Sequence, residues 1–531
     1  MTLHIRGTTT GPIVLGPNSK QLTTITSTGA VISSGDGIDG PATNPWPIAN
    51  DGTIAASGGL GISLAAGGNV SNGPGALISG GIAGILINGA RGAVANAGTI
   101  HGLDTGSTVV NTTLVVSGDG IALVTGGSVT NAVSGSISGA GPRGSGDATG
   151  SGVFITGGSG KATNYGSVNG GAYGMALDAG GSVTNSGSIG GTEDGVKIDG
   201  AIGRVVNSGS VVATVDDGVA LFAGGDVANA PGALIKSGPG FGPNPSAAGV
   251  FIATSGSGTV ENGGSIDGAI FGVFAGTGSV TNAASGSIGG STAGVIFNPL
   301  APNSGPGTLV NAGQISASGG AGADLEDGGS VTNASGASMS GSAFGVFVGG
   351  AAGTVTNAGT LTGGAASVHF GGPGANVLVV RPGAVFNGPV TESNGTLTVT
   401  GSPDSATEVF QLDNGTLDVA AAIGANATIN FINPSPSTLA IDNAASFGTD
   451  VGTNSYTGPL LEDFSADDII DLKHIGTGVT LAPLTPSGLL QVSNGSRVVA
   501  DLAFQTSSGA SFQTTSDNNG GVLITLATPS T

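Results

Sequence analysis

The chain has 531 residues, no cysteine, and 11 Lys and Arg against 32 Asp and Glu, for a formal net charge of −21. That balance argues against nucleic acid and anionic membrane surfaces as partners, because both recruit Lys and Arg, and it leaves divalent cations open. Charged residues make up 8% of the chain, against about 25% in ordinary soluble domains, and no apolar run approaches the roughly 18 residues of a membrane-spanning helix.

Residues 1–20 begin MTLHIRGTTTGPIVLG and read as an N-terminal strand, a cap or an assembly segment. They hold no apolar run of the length a secretory signal needs, so export would use a leader already removed or a signal elsewhere. Without cysteine, an extracellular protein of this size depends on its core and backbone pairing rather than on disulfides.

From 21 to 364 the sequence repeats itself. One phrase recurs as VSNGPGALI (70–78), VANAGTI (94–100), VTNSGSI (183–189), VVNSGSV (205–211) and VTNAGTL (355–361). Its Asn residues are Asn50, Asn72, Asn96, Asn131, Asn164, Asn185, Asn207, Asn229, Asn262, Asn282, Asn311, Asn333 and Asn357, mostly 20 to 24 residues apart. A second phrase, Gly-apolar-variable-apolar, follows in each repeat, as in GISL (61–64), GVKI (195–198) and GVFV (345–348). Three short alternating segments between Gly-rich corners predict strand, turn, strand, turn, strand. Helix is disfavoured by 106 Gly residues and by the Val, Ile and Thr of the periodic segments.

Three strands per repeat make one coil of a parallel β-helix, so the expected fold is an all-β β-solenoid of 20–24-residue coils. Coils stack about 4.8 Å apart, which lets the Asn amides form a ladder along the axis. Gly is expected to supply positive φ at the corners. The longer steps predict loops that leave the coil at 103–118, 138–150, 237–248 and 298–307. Segment 365–445, with VLVV (377–380), GTLTV (395–399) and ATINFI (427–432), continues the stack less regularly. A smaller C-terminal β domain, with a possible secretion signal, is expected over 446–531.

These residues carry two resemblances. The VxNxGxI repeats and NVLVVRPGAVFNGPV (376–390) resemble passenger regions of bacterial autotransporters and related surface β-helix proteins, over most of residues 20–400. The segment with DFSADDIIDL and the closing GGVLITL is similar to the C-terminal region of bacterial type I secretion substrates, whose uncleaved export signal is C-terminal. No outer-membrane barrel follows the repeats, and no strict GGxGxDxxx array is present. The resemblance implies a secreted or cell-surface bacterial protein.

Three groups of residues are candidate sites. Glu193, Asp194, Asp216 and Asp217 fall at one corner of adjacent coils, with Asp178 and Asp199 as a second column; stacked carboxylates suit Ca²⁺ or a solvated corner neutralised by Lys197 and Arg204. Asp463, Asp467, Asp468 and Asp471, with Glu462, form the densest acidic run, a solvated loop or a Ca²⁺-assisted fold. The middle residue of each GΦxΦ phrase must face outward. It is apolar at Phe154, Phe251, Phe274, Ile296 and Phe347, a stripe that marks an interface or a surface under a loop.

The leading expectation is therefore a secreted structural or surface protein without catalysis, whose partner is itself (a homopolymer forming fibre, sheet or matrix). The alternative is an adhesin whose loops at 138–150 and 237–248 bind a host surface or polysaccharide. A polysaccharide lyase or hydrolase at the 193–217 corner ranks third; it would need carboxylates about 5–9.5 Å apart, and one Trp with three Tyr gives little aromatic platform for a sugar groove.

Overall fold

A computed structural model describes residues 3–16, 22–110, 114–141, 150–240, 247–298, 305–401, 408–420, 422–432, 436–453, 455–505 and 510–527. The expected loops at 138–150 and 298–307 lie largely, and that at 237–248 half, outside these residues. The chain is all-β and winds as a parallel β-solenoid of about 17 turns with coils of roughly 23 residues. It divides into two compact units: Met1–Gly276 with Ser287–Gly290, and Thr277–Gly286 with Ser291–Thr531.

In the first unit each coil has the three expected strands, as in Gly68–Asn72, Leu77–Gly80 and Ala83–Ile87. Neighbouring coils pair in parallel and in register, placing Val70 against Val94 and Ile78 against Ile100. The period-two alternation of each strand sends these aliphatic residues inward, where Val70, Ile78, Ile85 and Ile100 are buried. Identical neighbours above and below fill a narrow core with few choices of size.

Each recurring Asn ends the first strand of its coil with its amide buried. Asn207 Nδ2 donates to Asn229 Oδ1 at 2.9 Å and to the Leu234 carbonyl at 3.0 Å, while its Oδ1 accepts from Gly209 N at 3.2 Å. The same amide-to-amide bond, 2.8–2.9 Å long, links Asn50 through Asn72, Asn96, Asn131, Asn164, Asn185, Asn207 and Asn229 to Asn262. In the second unit it links Asn282, Asn311, Asn333 and Asn357. The expected ladder is present in both units, and it answers an accounting problem: a tight turn at the core leaves carbonyls and N–H groups that buried amides can satisfy.

Glycine serves two purposes, of which the sequence suggested one. Gly67 and Gly68, at the corner between coils, have φ of 78° and 149°. Gly209, two residues after its Asn, is required by space instead: a Cβ there would lie 2.1 Å from the Gly187 carbonyl oxygen of the coil below.

The insertion expected at 103–118 as a loop is partly structured. Thr108–Val110 and Leu114–Val116 pair antiparallel, and Val110 and Val116 are buried in one cluster with Leu60, Leu86, Ala122 and Phe154.

The second unit changes cross-section along its length. The middle-strand column ends at Val385–Asn387. Later coils keep two strands, as Val390–Ser393 with Thr396–Gly401 and Val409–Asp413 with Thr416–Val419, and larger buried residues such as Phe410 and Phe431 fill them. Parallel stacking runs past the composition change at 446, in one column to Ile469–Leu472 and in the other to Arg497–Phe504, which pairs with Leu460–Glu462. The other edge of Ile469–Leu472 is taken by Val522–Leu526 in antiparallel pairing, which ends the parallel repeat there.

Removing one amide from the ladder leaves its neighbours unpaired in the core. Asn207→Ala should cost about 1–3 kcal/mol for each buried polar group that loses its partner, and Asn207→Val should not recover it despite filling space. Chemical denaturation of the three proteins, followed by circular dichroism, measures this.

Candidate functional site

The acidic corner is built from a short phrase, Asp-Gly-apolar, at the entry to the third strand. In Asp194-Gly195-Val196 and Asp217-Gly218-Val219 the Asp turns inward, 6% and 3% exposed. Asp194 Oδ1 accepts from Asp217 N at 3.2 Å, and Asp217 Oδ1 accepts from Ala248 N at 2.7 Å. Asp119 does the same for Ser151 N at 2.8 Å, and Asp36 for Leu60 N at 2.7 Å. Each carboxylate thus caps a backbone N–H of the next coil. Asp36 and Asp119 were not singled out by sequence reasoning, although DGID and DGIA carry the same signal as DGVK and DGVA.

The four expected carboxylates are therefore not one cluster: Asp194 and Asp217 point into the corner, while Glu193 and Asp216 stay at the half-exposed surface. Burial, with Asp217 and Asp216 nearby, pushes the Asp194 carboxyl well above the usual carboxylate range. Burial does the same to Asp119. Lys197 pairs with Asp178 at 3.4 Å.

The C-terminal acidic run is also divided. Asp463 and Asp467 are exposed. Asp468 is buried and fully used, accepting from Ser437 N at 2.9 Å and from the Ser465 N and Oγ at 2.8 Å each. Asp471 is half-buried, and burial together with Asp517 raises its carboxyl. Among the described residues, no three His, Asp or Glu side chains are gathered as a metal ion would need.

The outward stripe needs correction residue by residue. Phe154 is 1% exposed because the 108–116 hairpin packs over it, together with Leu86 and Ala122. Facing away from the core is therefore not the same as facing solvent. Phe274 and Ile296 are also nearly covered, whereas Phe251 and Phe347 are half-buried.

The open part of the stripe is wider than expected, because residues at other positions join it. In the first unit Phe222, Phe251, Phe274 and Phe271 form a continuous row, with ring centroids 5.3 to 5.6 Å apart. Lys197 lies over Tyr173 and Phe222, at 5.2 and 5.9 Å from their ring centres. In the second unit His369 stacks on Phe344 and Phe347, at 5.1 and 5.3 Å, and its Nδ1 is 2.6 Å from Thr391 Oγ1. The strand register sets Asp324 between Ile296 and Phe347, where burial pushes its carboxyl up to about 7. Sequence reasoning assigned nothing to Tyr173, Phe222 or His369 and took Asp324 only as an interruption of the stripe, since their significance rests on neighbours from other coils.

Two further carboxyls lie inside the second unit. Glu392 accepts from Asn376 Nδ2 at 3.2 Å, yet burial raises it to about 8, and burial raises Glu408 to about 7. These groups line the interior rather than a substrate groove.

No protein-family model matches the chain, and a search of curated proteins finds no match either.

Asp194→Asn keeps an acceptor for the Asp217 N–H and removes a buried charge, so its apparent Tm should equal or exceed that of the parent at pH 8. Asp194→Ala should fall below both in the same melts. A second test uses pH. The folded state holds the Glu392 and Glu408 protons above the unfolded value near 4.5, so stability is greatest below that value and is lost as pH rises through about 7 to 8. The loss is at most about 1.4 kcal/mol per pH unit and per carboxyl. Melts from pH 5 to pH 9 should show this decline, and Glu392→Gln should flatten it.

Proposed function

We propose that this chain is a secreted structural protein of a bacterial surface that acts by self-assembly, without catalysis, through the aromatic flank of its solenoid. The observation that carries the reading is the row Phe222, Phe251, Phe274 and Phe271 outside the core, with Phe222 39% exposed. Aromatic rows of this kind favour an apolar partner over water. A second copy is the occupant that fits best, because another β-solenoid presents side chains at the same coil spacing and can meet the open rings of the row, Phe222, Phe251 and Phe271. The low charge density removes much of the like-charge repulsion between flanks.

One feature favours the flank over the C-terminal coil end. Antiparallel pairing occupies the edge of Ile469–Leu472, where a free parallel edge would act as a template for addition. The resemblance to autotransporter passengers and type I substrates supports the extracellular setting.

Light scattering and negative-stain electron microscopy, in Ca²⁺ and in chelator, test the proposal. Concentration-dependent sheets or filaments are expected for the parent, and their loss in Phe222→Ser/Phe251→Ser. Monomers at all concentrations, or assemblies unchanged by the double substitution, would refute it.

A further inference from the structure

Outside the aromatic flank, the second unit holds a cleft of about 990 Å³. Its floor comes from late parallel coils, at Asp442–Ala445 and Lys473–Ile475, and its far wall from the antiparallel extension at Asn494 and Ser496–Val499, with Val451 and Gly452 at the side. The volume is that of a ligand site rather than of a water-sized gap.

The polar groups in the cleft are unevenly committed. Lys473 is held between Asp418 and Asp442, at 2.8 and 2.7 Å, so its one positive charge is fully committed to two carboxylates and, among the described residues, Arg497 is left as the free cation of the lining. Asp501, behind the cleft, accepts from Gly452 N. Asn494 Nδ2 donates to the Ile475 carbonyl at 2.9 Å. Arg497 is exposed and has no carboxylate within ion-pair distance among the described residues, although the chain carries 32 acidic side chains. His474 stands beside it in the lining with φ of 62°, a left-handed backbone uncommon outside glycine.

We infer that this cleft binds an acidic saccharide, with the Arg497 guanidinium taking a sugar carboxylate and the neighbouring polar wall taking hydroxyl groups. A guanidinium matches a carboxylate with two parallel hydrogen bonds, a geometry that ammonium groups do not reproduce. Asp442, Asn443, His474 and Ser496 supply both donors and acceptors around it, which suits a ring bearing several hydroxyls. Among the described residues the lining holds no Phe, Tyr or Trp, so recognition would rest mainly on charge and hydrogen bonding. This site is separate from the aromatic flank, so either can fail without the other.

Isothermal titration of the full chain with a galacturonic acid hexamer, and with the same hexamer after reduction of its carboxyls, tests the assignment. Saturable binding of the acidic hexamer is expected, about tenfold or more weaker for the reduced hexamer and for Arg497→Gln. Arg497→Lys should fall between parent and Arg497→Gln, and Arg204→Gln, an exposed arginine on the solenoid, should bind like the parent. Circular dichroism confirms that each variant is folded. Absence of saturable binding, equal binding of the two hexamers, or equal loss in Arg204→Gln and Arg497→Gln would overturn the inference.

Discussion

The buried amide at the end of each first strand is the constraint from which the rest of the coil follows. A turn at that point brings carbonyls and N–H groups into a core too narrow for water, and each Asn satisfies partners in its own coil and the next. The ladder therefore fixes register as well as turn shape: a coil shifted by one residue would set its amide against a position that holds Ser, Thr, Ala or Gly in most coils, and the amide-to-amide bond would be lost. The columns that flank the ladder fit this logic. Ile25 takes the equivalent position below Asn50, and Val380 the one above Asn357. Beyond Val380 the middle-strand column ends at Val385–Asn387 and the cross-section flattens to two strands.

With the interior fixed so tightly, variation is pushed to corners and flanks. The Asp-Gly-apolar corners use carboxylates as backbone caps, at the cost of burying acids such as Asp119 and Asp194. The flank outside the third strand is covered by a hairpin at Phe154 and Leu86 and left half-open at Phe222 and Phe251. A surface with so few charges has little to discourage contact with a copy of itself, so the aromatic row has weight out of proportion to its size.

Much of the fold was legible in the sequence because a solenoid writes its contacts at a fixed period. The Asn spacing identified the ladder residues, and the GΦxΦ phrase identified the core-facing aliphatics. What the period could not convey was contact outside the repeat. Phe154 and Phe251 occupy the same position of the phrase, and an inserted hairpin alone distinguishes the buried one from the half-open one. Glu193 and Asp194 are adjacent in sequence, yet one stays at the surface and the other caps a strand. Lys473 and Asp418 are 55 residues apart and meet where the coils have lost their regular phrase. Single-residue chemistry of this kind depends on three-dimensional neighbours that periodicity does not encode.

It is the amide ladder, rather than glycine content or aliphatic burial alone, that holds the coils in register. Hydrogen exchange followed by mass spectrometry across the Asn-x-Gly turns tests it most directly. Turns such as 185–188 and 207–210 should exchange as slowly as the strands they join, and in one cooperative step. Fast exchange at those turns while the flanking strands stay protected would contradict it.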